Sequence, residues 1–145
     1  MQKINIVCVG KIKESFYRQA VDEYLKRLSR FASVTVKELA EGRTPSDEAQ
    51  PIIKACRGKI IALCIEGAKY SSEKLAGQIK EFTDKGEEIT FVIGSSCGLA
   101  DAVKAQAHIK LSFSDMTFPH QLMRVILLEQ IYRAFMINTG SEYHK

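Results

Sequence analysis

The chain has 145 residues, 46% of them apolar and 26% charged, and a net charge of +4. At that length one domain buries roughly two-thirds of its unfolded surface and two domains do not fit. The composition excludes disorder, no apolar run reaches the ~18 residues of a membrane span, and the first residues carry no signal-peptide pattern. A single cytoplasmic domain over residues 1–145, without membrane contact, is therefore expected. Cys8, Cys56, Cys64 and Cys97 form no C-x-x-C pair and have no regular spacing with His108, His120 or His144, so neither a metal site nor a disulfide framework is indicated.

Ile4-Asn5-Ile6-Val7-Cys8-Val9 is almost continuously apolar and closes on Gly10, the pattern of a strand buried on both faces. From 14 to 31, Phe16, Tyr17, Ala20, Val21, Tyr24, Leu25, Leu28 and Phe31 recur at three- and four-residue steps and define one helical stripe. The opposite face carries Arg18, Asp22, Lys26, Arg27 and Arg30, a charged surface that is either simply solvated or tracks a phosphate backbone. Val34 to Leu39 alternates like a half-exposed strand, and 40–51 gathers Gly, Pro, Ser and Asp into a loop with room for a short helix entering at Ser46.

Lys59 to Ile65 is a further buried strand, ended by Gly67. Ser71 or Ser72 caps a helix reaching Lys85, with Glu73 complementing its dipole and Gly86 as its stop. The strand 89–93 runs into Gly94-Ser95-Ser96-Cys97-Gly98, a short helix follows from about 99 to 107, and the last strand, Ile109-Lys110-Leu111, runs into a loop ending at His120. Strands alternating with helices predict an α/β fold with a mainly parallel sheet flanked by helices. The closing helix, 121–138, is apolar almost all the way round. Such a helix needs cover on more than one side, and a homodimer built on it is inferred.

In an open parallel sheet, ligands bind beyond the carboxyl ends of the strands, so the loops 94–98 and 112–120 suggest one shared pocket. The first loop is made of small residues, which let a backbone approach a ligand closely. The second sets Phe113, Met116 and Phe118 among Ser112, Ser114 and Thr117, a surface that either receives a purine or plugs the sheet end. Neither a dinucleotide fingerprint nor a P-loop fits the first loop. Gly94-x-Ser96-x-Gly98 does match the nucleophile elbow, with Asp101 or Asp115 and then His120 or His144 in hydrolase order, so a serine hydrolase is the rival reading. No His-Gly-Gly oxyanion motif accompanies it, and the chain is short for that fold.

The residues Gly94 to Leu99, Leu111 to Val125, Glu129 to Phe135 and the closing Tyr143-His144-Lys145, with the opening Ile6 to Lys13 and Tyr24 to Leu28, closely resemble the bacterial pseudouridine N3-methyltransferases of large-subunit ribosomal RNA, small members of the SPOUT superfamily. The resemblance covers nearly the whole chain. It implies a trefoil-knotted α/β domain, with the knot over about 89–145, that is homodimeric through its C-terminal helix and binds S-adenosylmethionine in the knot. Carried over by position, the cofactor contacts are Leu63, Gly94 and the run Phe113, Ser114, Asp115, Met116, Thr117 and Phe118. The substrate is expected to be 23S ribosomal RNA in the assembled ribosome.

For the chemistry, Tyr143 and His144 are expected to reach the partner's pocket, with His144 as candidate base and Arg124 beside them. Arg133, Lys145 and His120 are expected to hold RNA. Arg124 and Arg133 could equally serve salt bridges, to Glu129 or to the partner helix. A knot that binds RNA without catalysis is a further alternative. Two departures from the family stand out. Ser95 replaces the second of two glycines, where its side chain could crowd the cofactor, and the stretch from 41 to 57 is shorter.

Overall fold

A computed structural model describes all 145 residues. Strands and helices alternate: β1 (Gln2–Val9), α1 (Ser15–Leu28), β2 (Ala32–Leu39), α2 (Pro45–Ala55), β3 (Lys59–Lys69), α3 (Ser72–Asp84), β4 (Ile89–Ile93), α4 (Asp101–Gln106), β5 (Ile109–Ser112) and α5 (His120–Asn138). The five strands form one sheet in the order β2-β1-β4-β3-β5, and every pairing is parallel. β4 lies between β1 and β3 with all five of its residues buried, which is why it reads as an unbroken apolar run. β2 is an edge strand, and its alternation reflects one covered face.

Helices α1, α3 and α5 cover one face of the sheet, and α2 and α4 cover the other. The two cores contain 21 and 8 buried residues, so most of the apolar burial lies on the α5 side. α5 runs in the groove between α1 and α3. Phe135 stacks on Phe31 at 5.7 Å, Tyr132 meets Tyr24 at 6.3 Å, and the Asn138 amide donates to the Ala76 carbonyl at 3.0 Å. No residue from 121 to 137 is fully exposed. The girth of α5 is therefore largely satisfied inside the protomer by the sheet and two flanking helices, so the cover that the sequence assigned to a partner comes mostly from α1 and α3. Leu122, Val125 and Ile126 remain half-buried.

Two further elements differ from expectation. The 40–51 stretch leads into an eleven-residue helix, α2, capped by the Thr44 side chain on the Asp47 N–H, with Pro45 in its first turn and Pro51 inside it. Clustered prolines suggested a loop, yet proline is at home in a first helical turn. β3 does not end at Gly67. Leu63 and Ala68 both register with Leu111, so residues 64–67 bulge out and pairing resumes to Lys69. A Cβ on Gly67 would lie 2.7 Å from the Lys110 carbonyl group, so only glycine permits the strand to close again.

Candidate active site

The carboxyl ends of β3, β4 and β5 enclose a cleft of about 650 Å³, within the size range of small-molecule sites. Of the expected cofactor contacts, Leu63, Gly94, Phe113, Ser114, Met116, Thr117 and Phe118 line it, and so does His120. Asp115 does not: it is exposed and its carboxylate pairs with Lys69 at 2.5 Å. The β3 bulge adds Cys64, Ile65 and Glu66, and α4 adds Lys104, none of which the sequence pattern singles out. Glu66 and Lys104 form an ion pair at the rim. Hydrogen bonding to Lys104 holds the Glu66 carboxyl below its usual range, and the same bond raises the lysine.

The first loop is tight for identifiable reasons. A Cβ on Gly94 would lie 2.7 Å from the Gly98 carbonyl oxygen and 2.9 Å from Leu99 Cδ2, because the loop doubles back on itself. The Gly98 N–H donates to the Ser95 carbonyl at 2.9 Å, and Gly98 has φ of +85°. Ser95, the departure from the family, donates its hydroxyl to Glu48 Oε1 at 3.2 Å. Glu48 is buried on α2, and its other oxygen accepts the Gly42 N–H at 3.0 Å. The extra side chain is thus tied to α2. In the second loop the Ser112 hydroxyl donates to the Ser114 carbonyl at 3.1 Å, and the Met116 N–H donates to Ser114 Oγ at 3.0 Å.

The hydrolase reading is not supported. Ser96 lines the cleft, but no hydrogen bond joins it to His120 or His144, and His144 is engaged elsewhere. No non-glycine residue has a positive φ, so Ser96 lacks the strained backbone of a nucleophile elbow.

Arg124 sits away from the cleft lining and is 1% exposed. It donates to the carbonyls of Val9 and Gly10 at 3.0 and 2.7 Å and pairs with Glu38 at 2.8 Å. Every one of these partners belongs to the scaffold, and burial keeps Arg124 off any reacting atom. Its expected catalytic place is corrected to a structural one.

The C-terminal residues fold back on α3 and α5. Tyr143 donates to Glu129 at 3.0 Å, meets Tyr132 edge-on at 5.0 Å and lies under the Arg133 guanidinium at 4.9 Å. Burial, followed by the bond to Glu129, pushes the Tyr143 hydroxyl pKa up. Arg133 also pairs with Glu129 at 2.9 Å, the alternative that the sequence left open. His144 Nε2 is 2.6 Å from Glu73, and Nδ1 is 3.1 Å from an Arg133 nitrogen. Since arginine only donates, Nδ1 accepts and the proton of the neutral ring sits on Nε2. Neither Tyr143 nor His144 lines the cleft of its own chain. A separate recess of about 250 Å³, lined by Ser72 and Gln130 among others, shares Phe113 and Phe118 with the cleft. Lys145 is exposed and makes no ion pair.

A parallel α/β sheet with a cleft at its strand ends, walled by two loops, is the arrangement in which open α/β sheets take ligands. A family model described as "Predicted SPOUT methyltransferase" matches residues 2–144, and the chain belongs to that family. It is similar to proteins named ribosomal RNA large subunit methyltransferase H. That of Bifidobacterium animalis subsp. lactis is 52% identical over 98% of this chain and 99% of the relative. The Clostridium novyi protein is 49% identical over the same shares, and that of Streptococcus uberis 47% over 99% of both chains. The first alignment runs over 157 positions, more than the 145 residues here, so the relative carries additional residues.

Proposed function

We propose that this protein transfers a methyl group from S-adenosylmethionine to N3 of a pseudouridine in 23S ribosomal RNA, within the assembled ribosome and as a homodimer. The observation that carries the reading is similarity along nearly the full chain to methyltransferases whose names specify large-subunit ribosomal RNA. The cleft suits the cofactor on its own chemistry. Apolar side chains of Leu63, Phe113 and Phe118 offer walls for a purine, and the loops bring peptide groups alongside, with Gly94 letting the first loop fold tightly onto Gly98 and Leu99. In this reading the stretch 89–145 forms the knot, with the run from Phe113 to Phe118 passing beside the Gly94 loop.

Bound there, the cofactor supplies a methyl carbon made electrophilic by its sulfonium. The protein's task is to hold the acceptor nitrogen in line with that carbon and to take up the N3 proton. Docked as observed, both ring nitrogens of His144 are taken up by contacts with Arg133 and Glu73, so neither is presented to an acceptor. Its role as base requires the last residues to leave Glu73 and Arg133 and to enter the cleft of the partner, bringing Tyr143 along. The half-buried Leu122, Val125 and Ile126 of α5 supply apolar surface for that partner. No helix is long and apolar enough to cross a membrane, and a ribosomal substrate places the protein in the cytoplasm. No cluster of three or more His, Cys, Asp or Glu is placed to hold a metal.

The test is incubation of the protein with labelled S-adenosylmethionine and ribosomes lacking the modification, followed by nucleoside mass spectrometry. N3-methylpseudouridine in 23S RNA is the expected product. Salt-dependent RNA binding with neither methyl transfer nor cofactor affinity would instead identify a non-catalytic RNA-binding protein.

A further inference from the structure

The turn between β1 and α1 is tied down far more than a surface turn requires. The carbonyls of Val9 and Gly10 both accept from Arg124, and the Gly10 N–H donates to the Leu39 carbonyl at 2.7 Å. The Ile12 N–H donates to Glu38 at 3.0 Å, and the Lys13 N–H donates to Gln121 at 3.0 Å. Arg124 closes the set through its pair with the same Glu38 oxygen. This clamp carries a burden, because Arg124 is buried with its Nε–H unpartnered. Something about the turn is worth holding still.

What the turn displays is two cations and an aromatic ring. Lys11 and Lys13 are exposed, and neither forms an ion pair. Phe16, 60% exposed, leans on Tyr17 at 4.5 Å. The other exposed large apolar side chains are the terminal Met1 and two residues of the cleft, Ile65 and Met116. The position is equally telling. Cys8 registers with Ile93, so the turn lies at the same end of the sheet as the Gly94 loop, and Gln121 directly follows His120 of the cleft.

We propose that Lys11, Lys13 and Phe16 grip the single-stranded RNA beside the target nucleotide, and that Arg124 is the positioning residue that holds this grip at the rim of the cleft. The inference rests on the methyltransferase reading above. Lysines neutralise phosphates, an exposed ring takes the face of any base, and a pre-ordered backbone lowers the entropic cost of engaging a flexible strand.

The experiment compares wild type, Lys11→Ala/Lys13→Ala, Phe16→Ala and Arg124→Lys in methyl transfer to ribosomes at several salt concentrations, with cofactor calorimetry and sedimentation alongside. The double lysine variant should keep wild-type cofactor affinity while its KM for ribosomes rises about tenfold. Its plot of log kcat/KM against log salt should be shallower by about 1.4, roughly 0.7 for each single-strand phosphate that no longer has a lysine to neutralise it. Phe16→Ala should raise KM by roughly 5- to 150-fold, the range for one stacked base, with unchanged sedimentation. Arg124→Lys, which cannot span two carbonyls and a carboxylate, should raise KM in the same sense; should it fail to fold, the surface variants decide alone. An unchanged KM and salt slope in the double variant overturns the proposal, as does a Phe16→Ala protein that sediments as a smaller species, which would place Phe16 at a subunit contact. Absence of transfer by wild type would instead defeat the methyltransferase reading, and the proposal with it. The two failures are distinct, since one appears in wild type and the other only in the variants.

Discussion

The cleft and the C-terminal residues are both assigned to one reaction, yet they are held in opposite ways. The cleft is the end of a buried sheet. Its first loop inherits its position from β4, whose residues are all buried, and Gly94 fits where no other residue would. Residues 141–145 are held by a few hydrogen bonds and ring contacts near the surface, one of them a single bond to a Glu73 whose side chain is 62% exposed, and an exposed hydrogen bond contributes little net stability. The part that would hold the cofactor is therefore preformed, and the part that would act on the acceptor is detachable.

That contrast can be broken or sharpened by experiment. The largest effect is expected from truncation after Gly140, which should reduce methyl transfer by about 100-fold or more, the scale of a lost general base, while cofactor affinity stays near wild type. Equal loss of both would show that the tail also builds the cleft. Gly94→Ala should do the reverse, weakening cofactor binding at least tenfold by calorimetry, since the new Cβ would press on the Gly98 carbonyl. Arg124→Ala strands the Glu38 carboxylate and the Val9 and Gly10 carbonyls, and urea denaturation should register a loss of about 3 kcal/mol.

Ser95→Gly removes one of two donors to the buried Glu48 and should cost about 1–2 kcal/mol without raising cofactor affinity. A tighter-binding variant would show that Ser95 crowds the cleft after all. The smallest effect concerns Cys8, whose thiol burial pushes up to about 11 from an ordinary value of 9.0. Its raised value means that the folded chain favours the neutral thiol. The stability this represents is complete below pH 9 and is lost as pH rises towards 11. Alkylation at pH 8 should accordingly spare Cys8 and reach the exposed Cys97 of the cleft loop first, with S-adenosylmethionine protecting the latter.

Much of this was legible in the sequence, for traceable reasons. β1 and β4 announced themselves because strands covered on both faces are continuously apolar. The two cleft loops followed from strand ends and small residues. The β3 bulge was hidden because Glu66 and Gly67 look like a terminus, while its cause, the approach of Lys110, lies more than forty residues away. The Ser95–Glu48 bond and the Arg124 clamp were invisible for the same reason: they join residues 47 and 86 to 115 positions apart, and no local pattern encodes such partners. α2 was half-seen, its cap and proline being readable but outweighed by the second proline. The docking of Tyr143 and His144 depends on side-chain partners from two helices and left no trace in the pattern of the tail itself.

The strand order has a consequence for how the chain is born. β1 is made first, yet it is an inner strand, and Ile4 pairs with Ile89. No hairpin is available, because every pairing is parallel and each strand must wait for one distant in sequence. At a synthesis rate of roughly 5–20 residues per second, β1 stands without one of its neighbours for about 4–17 s. α5, which covers the larger core, comes last of all. The nascent chain must therefore carry an apolar strand with one edge unpaired through about 85 residues of further synthesis.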